Sequence, residues 1–236
     1  MNIIGHIDPS AFAARPRMHH GEPTAQFPSS VSSRAHRLLA LRAQNWRASG
    51  SPTPPKPYDA EVEYLDFVVP SYIDTGLIMS DRRYEIDAQF LSGGGSSLGS
   101  LIGFNTDNTG LIRWRSSSMA ECFWGTWKTV TNSPLSRHVY SAGHGYGFSV
   151  DGAFISDDTA PNFITRWTLK ICAYNVNNTQ RQGNCRVYSF NAIDGDATIM
   201  ALIPVRKDGV GYMYDRVSGE MFGNSGAGAF VIGPDV

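Results

Sequence analysis

Two regimes of side-chain patterning divide the chain. From Tyr58 onward, short runs rich in β-branched and aromatic residues follow one another: AEVEYLDFVV, RRYEIDAQFL, SLIGFN, GLIRWRS, VYSAGHGYGFSV, AFISD, FITRWTLKICAYN, CRVYSFNAI, TIMALIPV, GVGYMYD and GAFVIG. Gly, Asn, Asp, Ser or Pro punctuates nearly all of them, so they read as strands joined by turns. Asp151-Gly152 is the strongest hairpin signal, because a two-residue type I′ turn needs positive φ at both positions. Asp208-Gly209, Asp194-Gly195 and Ser218-Gly219 mark further turns. About a dozen short strands and no run of helical period predict an all-β domain over 58–236, with two antiparallel sheets burying their inner faces on one another.

The first 57 residues lack this alternation. Their one convincing element is a helix over about 32–48, capped by Ser32 or Ser33. Its apolar side is Leu38, Leu39, Leu41 and Trp46, beside Arg34, Arg37, Arg42 and Arg47. The stretch GSPTPPKP stops it, since proline lacks the N–H and disfavours helix in the residue before it. Residues 1–57 therefore read as a basic extension ending in a stiff linker. Such a helix commonly docks on its own chain or a sister subunit, so self-association or anchoring is expected there, with a disordered segment as the alternative. Binding to lipid or nucleic acid is the less common use of the same pattern.

Charge sharpens that division. The net charge of −1 argues against a chain devoted to nucleic acid or anionic membrane. Yet residues 1–57 carry seven Arg or Lys against Asp8 and Glu22, and the remainder is acidic. No apolar stretch approaches the roughly 20 residues of a transmembrane helix, and no secretory signal pattern opens the chain. Work outside a cell would then require arrival by lysis, by a particle or by a non-standard route.

Three cysteines, Cys122, Cys172 and Cys185, leave at least one thiol unpaired within a monomer, and no spacing suggests a zinc site. Cys172 and Cys185 lie on two strand-like runs around the polar connection VNNTQRQGN. If those runs pair as a hairpin, the thiols face each other and can oxidise; otherwise they are small buried hydrophobes.

Two segments carry a specific resemblance. VEYLDFVVPSYIDTGL, residues 62–77, is similar to the opening of a laminin-G-like, concanavalin A-like jelly-roll family common in tailed phages and gut bacteria. Tyr72, Ile73, Asp74, Thr75 and Gly76 keep its turn, while FVVPS replaces the usual S-T-G-T-Q. RVYSFNAIDGDATIMALIPVRKDGVGYMYDRVSGEMFGNSGAGAF, residues 186–230, resembles the family ending. The resemblance implies a jelly-roll sandwich over about 58–233 and nothing N-terminal. Within it, Asp74 and Asp215 are expected as turn formers, and Asn224, Gly226 and Gly228 as suppliers of φ freedom near the chain's return.

Catalytic chemistry is poorly supported. Laminarinase-type hydrolases of the same architecture align E-x-D-x-(x)-E on one strand. Glu85-Ile86-Asp87 is followed by Gln89 and Phe90, so the second catalytic carboxylate is missing. The expectation is a solvent-facing strand side, with Tyr84, Ile86, Ala88 and Phe90 inward. Ser136 and His138 lack a G-x-S-x-G context, the glycine run 93–97 lacks the lysine of a phosphate loop, and His19-His20 makes a poor metal site. No catalytic residue is assigned. Laminin-G relatives often bind calcium at the sandwich rim, and Asp107, Asp157, Asp158, Asp194 and Asp196 supply oxygen donors; acidic loop tips are more commonly solvated turns.

Binding is the better class. Jelly rolls dock sugars with aromatic rings on apolar sugar faces and amides or carboxylates on hydroxyls. The candidates are Trp114, Trp124, Trp127 and Tyr146, with Asn105, Asp107 and Asn108 near the first; the alternative for each ring is a place in the core. The resemblance thus implies a non-enzymatic recognition or structural module of a phage or prophage particle, at its tail or surface, taking a host glycan or protein. A bacterial cell-associated carbohydrate-binding or adhesion protein comes next, and a divergent glycoside hydrolase third.

Overall fold

The chain divides into two units, Met1–Pro55 and Lys56–Val236. The computed structural model describes residues 55–78, 80, 82–91, 99–104, 110–116, 118–157, 167–176 and 179–236. The expected helix over 32–48, His19-His20, the glycine run 93–97 and all of the 1–57 extension before residue 55, with any anchoring there, lie outside the described residues. Asn105, Asp107, Asn108 and Asp158 do so too.

Every described element is a strand. In chain order they are β1 Ala60–Glu61, β2 Leu65–Phe67, β3 Ile73–Ile78, β4 Arg83–Phe90, β5 Ser100–Gly103, β6 Leu111–Ser116 and β7 Met119–Trp124. There follow β8 Thr126–Thr131, β9 His138–Gly143, β10 Gly147–Val150, β11 Ala153–Ser156, β12 Thr168–Ile171, β13 Ala173–Val176 and β14 Thr179–Gln182. The last five are β15 Cys185–Asp194, β16 Ala197–Lys207, β17 Val210–Asp215, β18 Met221–Phe222 and β19 Val231–Ile232. The larger sheet runs β11-β10-β9-β4-β15-β16-β17-β18, with β1 on β16, β2 on β15 and β19 on β2. The smaller runs β3-β12-β5-β6-β7-β8, and β13 and β14 form a separate hairpin. Both sheets are antiparallel and pack as a sandwich, in keeping with the expected jelly roll.

Alternation along the strands builds the core. β4 sends Tyr84, Ile86, Ala88 and Phe90 inward, each essentially inaccessible, while β6 and β7 of the other sheet send Ile112, Trp114, Ala120, Cys122 and Trp124 to meet them. Tyr84 joins the layers: its ring lies 5.6 Å from Phe104, 6.0 Å from Trp124 and 6.5 Å from Phe190. Gly110 is required here, because a Cβ would enter the Trp124 ring. FWGTW, whose glycine between two indoles fits either a loop or a bulged strand, is the heart of the β7–β8 hairpin, turning on Gly125 at φ +79°. The expected turn from Tyr72 to Gly76 lies, from Ile73 on, in strand β3, laid against β12.

The end motifs mate directly. β19 pairs with β2, Val231 opposite Asp66 and Ile232 opposite Leu65. Just before it, Asn224 Oδ1 accepts the N–H of Tyr72 at 3.0 Å and of Gly226 at 2.8 Å, and Ser225 N–H donates to the Tyr72 carbonyl at 2.8 Å. Gly226 and Gly228 do not adopt positive φ. Gly226 supplies room instead: a Cβ would collide with the Pro70 carbonyl. Asp215, almost fully buried, accepts the N–H of Ala201, Val217 and Ser218 and the Ser218 hydroxyl. Asp74 accepts the Gly76 N–H, the Thr168 hydroxyl and the Lys170 ammonium.

Cys172 and Cys185 are joined, with Cα atoms 6.5 Å apart. Their two runs do not pair with one another, so the bond forms without the hairpin that would have brought the thiols face to face. β13 folds back on β14 instead, so Cys172 leaves the smaller sheet and Cys185 opens the larger one. The bond is therefore a covalent tie between the layers, and Cys122 is buried as a thiol. Unfolded without reductant, the protein should titrate one thiol with Ellman's reagent, and three after reduction. Reduction should lower unfolding stability by about 3 kcal/mol, the entropy of a loop this short.

Asp74 gives a pH prediction. Burial pushes its carboxyl up, but Lys170, Thr168 and the Gly76 N–H together pull it further down, and the net shift is downward. Its folded pKa therefore lies below the unfolded one. The stability it contributes is complete at neutral pH and is lost as pH falls through the acid range. Urea unfolding from pH 7 to 3 should show Asp74→Asn less stable at neutral pH, with the gap to the parent closing on acidification.

Candidate functional site

The same alternation that buries half of β4 turns Arg83, Glu85, Asp87 and Gln89 outward. Directly opposed residues in an antiparallel sheet share a face, so the register defines a row across the larger sheet. Glu85 stands opposite Ser141 on β9 and Asn191 on β15; Ser141 stands opposite Ser149 on β10, and Asn191 opposite Ala201 on β16. All five are part-exposed. Serine and alanine leave space beside the one carboxylate and the one amide, so the row is an open polar strip.

One flank is a charged recess of about 330 Å³, in which Glu61, Glu63, Asp87, Arg137, Tyr188 and Ser189 stand over the apolar side chains of Val62, Ile203 and Pro204. Arg137 donates to both oxygens of Asp87, at 2.8 and 2.7 Å, and its guanidinium lies 3.7 Å from the Tyr188 ring centre. The hydrogen-bonded Asp87 raises the Arg137 pKa. The Tyr188 hydroxyl donates to Gln89 Oε1 at 3.0 Å. On the other flank Arg83 pairs with Glu85 at 3.3 Å and lies 5.8 Å from the ring of Tyr146, in the β9–β10 turn.

These contacts commit most of the polar atoms beside the Glu85 row to one another. Asp87 has both oxygens engaged by a cation, and Gln89 is an amide committed to Tyr188. His138 does meet an acidic partner, which sequence did not place: Nδ1 lies 2.6 Å from Asp151 Oδ2. Its Nε2 faces the Ser133 carbonyl at 3.2 Å, not a serine hydroxyl.

The aromatic candidates separate. Trp114 and Trp124 are 8% and 4% exposed and fill the core, because the period of β6 and β7 points them between the sheets; they are not ligand platforms. Trp127 is 46% exposed, but on the outer face of the smaller sheet. There it packs on Phe123 at 4.6 Å and has the Arg113 guanidinium on its ring at 3.8 Å. Tyr146, 39% exposed, is the one aromatic candidate beside the Glu85 row. Asp157 directly follows β11, Asp194 ends β15 and is held by Arg82 at 3.4 Å, and Asp196 lies in the β15–β16 turn. Among the described residues no three His, Cys, Asp or Glu converge on a metal position.

Sequence reading missed Ser141, Ser149, Asn191, Arg137 and Tyr188. The first three were visible as the polar phase of VYSAGHGYGFSV and CRVYSFNAI; the last two required the register. Comparison with family models, curated proteins and solved structures finds no match to this chain. The division of the tryptophans has a direct check. Trp124→Ala should cost about 3–5 kcal/mol by chemical denaturation, whereas Trp127→Ala should cost much less, having half its ring in water.

Proposed function

We propose that the sandwich is a non-enzymatic recognition module that binds a glycan or protein through the outer face of its larger sheet. The observation that carries this reading is the open row Ser149–Ser141–Glu85–Asn191, which sets hydroxyls, a carboxylate and an amide side by side on four neighbouring strands. Such groups exchange water for ligand hydroxyls or amides at little cost when the backbone already fixes their spacing. The setting we propose is a phage or prophage particle, at its tail or surface, where repeated copies multiply a modest single-site affinity.

A bacterial cell-associated or exported carbohydrate-binding or adhesion protein is the second reading. The bond between Cys172 and Cys185 favours it, because disulfides persist in oxidising compartments. Displayed multivalently on beads, the protein should bind a subset of an array of bacterial surface glycans and envelope proteins. Glu85→Ala should reduce that signal about tenfold without changing thermal stability. A blank array under avid display sinks the proposal, as does an undiminished signal from Glu85→Ala.

A further inference from the structure

β11 extends the Glu85 row by one more strand. Phe154 stands opposite Ser149, and the register shifts between the Phe148/Ser156 and Ser149/Phe154 pairs, so β11 carries one extra residue there. Bulges of this kind at sheet edges re-aim side chains. Here Phe154, at 63%, is the most exposed aromatic among the described residues, and Ile155 beside it is also exposed. The Phe154 ring has a defined seat: Gly147, held at φ +70°, has no side chain, and a Cβ there would strike both the ring edge and the Ser156 carbonyl. An exposed phenylalanine on a backbone shaped to receive it is a fixed apolar surface at the end of a polar strip.

We propose that Phe154 is a stacking residue of the recognition face, and that its ligand is a linear glycan lying across the strands. The inference rests on the recognition reading and adds the ligand class and direction to it. Sugar chains present both chemistries in one molecule, hydroxyls at the ring edge and C–H groups on the ring face. A hydroxyl-rich row ending in a bare aromatic ring matches that alternation. A peptide added along a strand would instead need a free sheet edge and would leave Ser141, Glu85 and Asn191 uncovered. The row has no unpaired charge, since Glu85 is matched by Arg83, so a neutral chain fits it. From β11 to β16 it crosses six strands, about 24 Å, the span of several linked sugar rings.

Retardation in native gels cast with mixed-linkage β-glucan, xylan, glucomannan or dextran tests this with the full chain. At least one polymer should slow the parent protein. Phe154→Ala should weaken that retardation about tenfold, the worth of one well-made aromatic contact, and Phe154→Trp should restore it. Soluble oligomers of the same sugar should gain affinity with length up to the row's span and then level off, levelling one ring earlier in Phe154→Ala. Full retardation of Phe154→Ala overturns the stacking role while leaving the recognition reading in place. Array binding of the parent without retardation by any polymer overturns the linear-glycan assignment alone, and silence in both assays removes the recognition reading as well.

Discussion

The period-two register of β4 is the constraint on which core and surface both depend. Strand side chains alternate strictly, so a slip of one residue would exchange Tyr84, Ile86, Ala88 and Phe90 for Arg83, Glu85, Asp87 and Gln89. Such a slip would bury four polar groups and expose four apolar ones, a change no neighbouring contact could absorb. β4 lies between β9 and β15, so its phase fixes theirs. The hydroxyl and amide neighbours of Glu85 are thus placed by the same force that fills the core.

Arginine gives the outer faces a repeated device. Arg113 joins Glu121 and Trp127, Arg137 joins Asp87 and Tyr188, and Arg186 joins Asp66 and Tyr64; each guanidinium bonds a carboxylate and lies 3.5–3.8 Å from a ring centre. A planar cation satisfies both partners at once, by its edge and by its face. The consequence is selective: a ring covered this way has given one face to the protein. This explains why Trp127, the more exposed of the two surface aromatics singled out from sequence, is the weaker binding candidate.

Much of the fold was legible because strand period and turn chemistry are local. The β4 phase and the Asp151-Gly152 turn follow from short stretches read alone, while the return of the closing segment to the opening one was implied by the resemblance of the two end motifs. What failed was non-local or ambiguous. A run such as FWGTW offers the same composition whether its indoles point inward or outward, and only the register of β7 and β8 separates Trp124 from Trp127. Cys172 and Cys185 were a plausible pair, but their link between sheets depended on a β13–β14 hairpin hidden in a polar stretch. Phe154 was invisible as a surface residue, since a bulge leaves no signature in A-F-I-S.

The mating of the opening and closing segments also has a mechanical side. Val62 bridges Asp235, Glu63 N–H donates to the Pro234 carbonyl, and Val236 N–H donates to the Glu61 carbonyl, so the residues that enter the sandwich and those that complete it share one corner. Tension applied between them would peel a few hydrogen bonds in sequence, like a zipper. Tension between that corner and the Glu85 row must instead pass through the ladders of β16, β15 and β4, as well as the disulfide-tied core. The sandwich is therefore mechanically uneven: separating its entering and closing segments breaks a few bonds one at a time, whereas drawing that corner away from β4 loads whole ladders together.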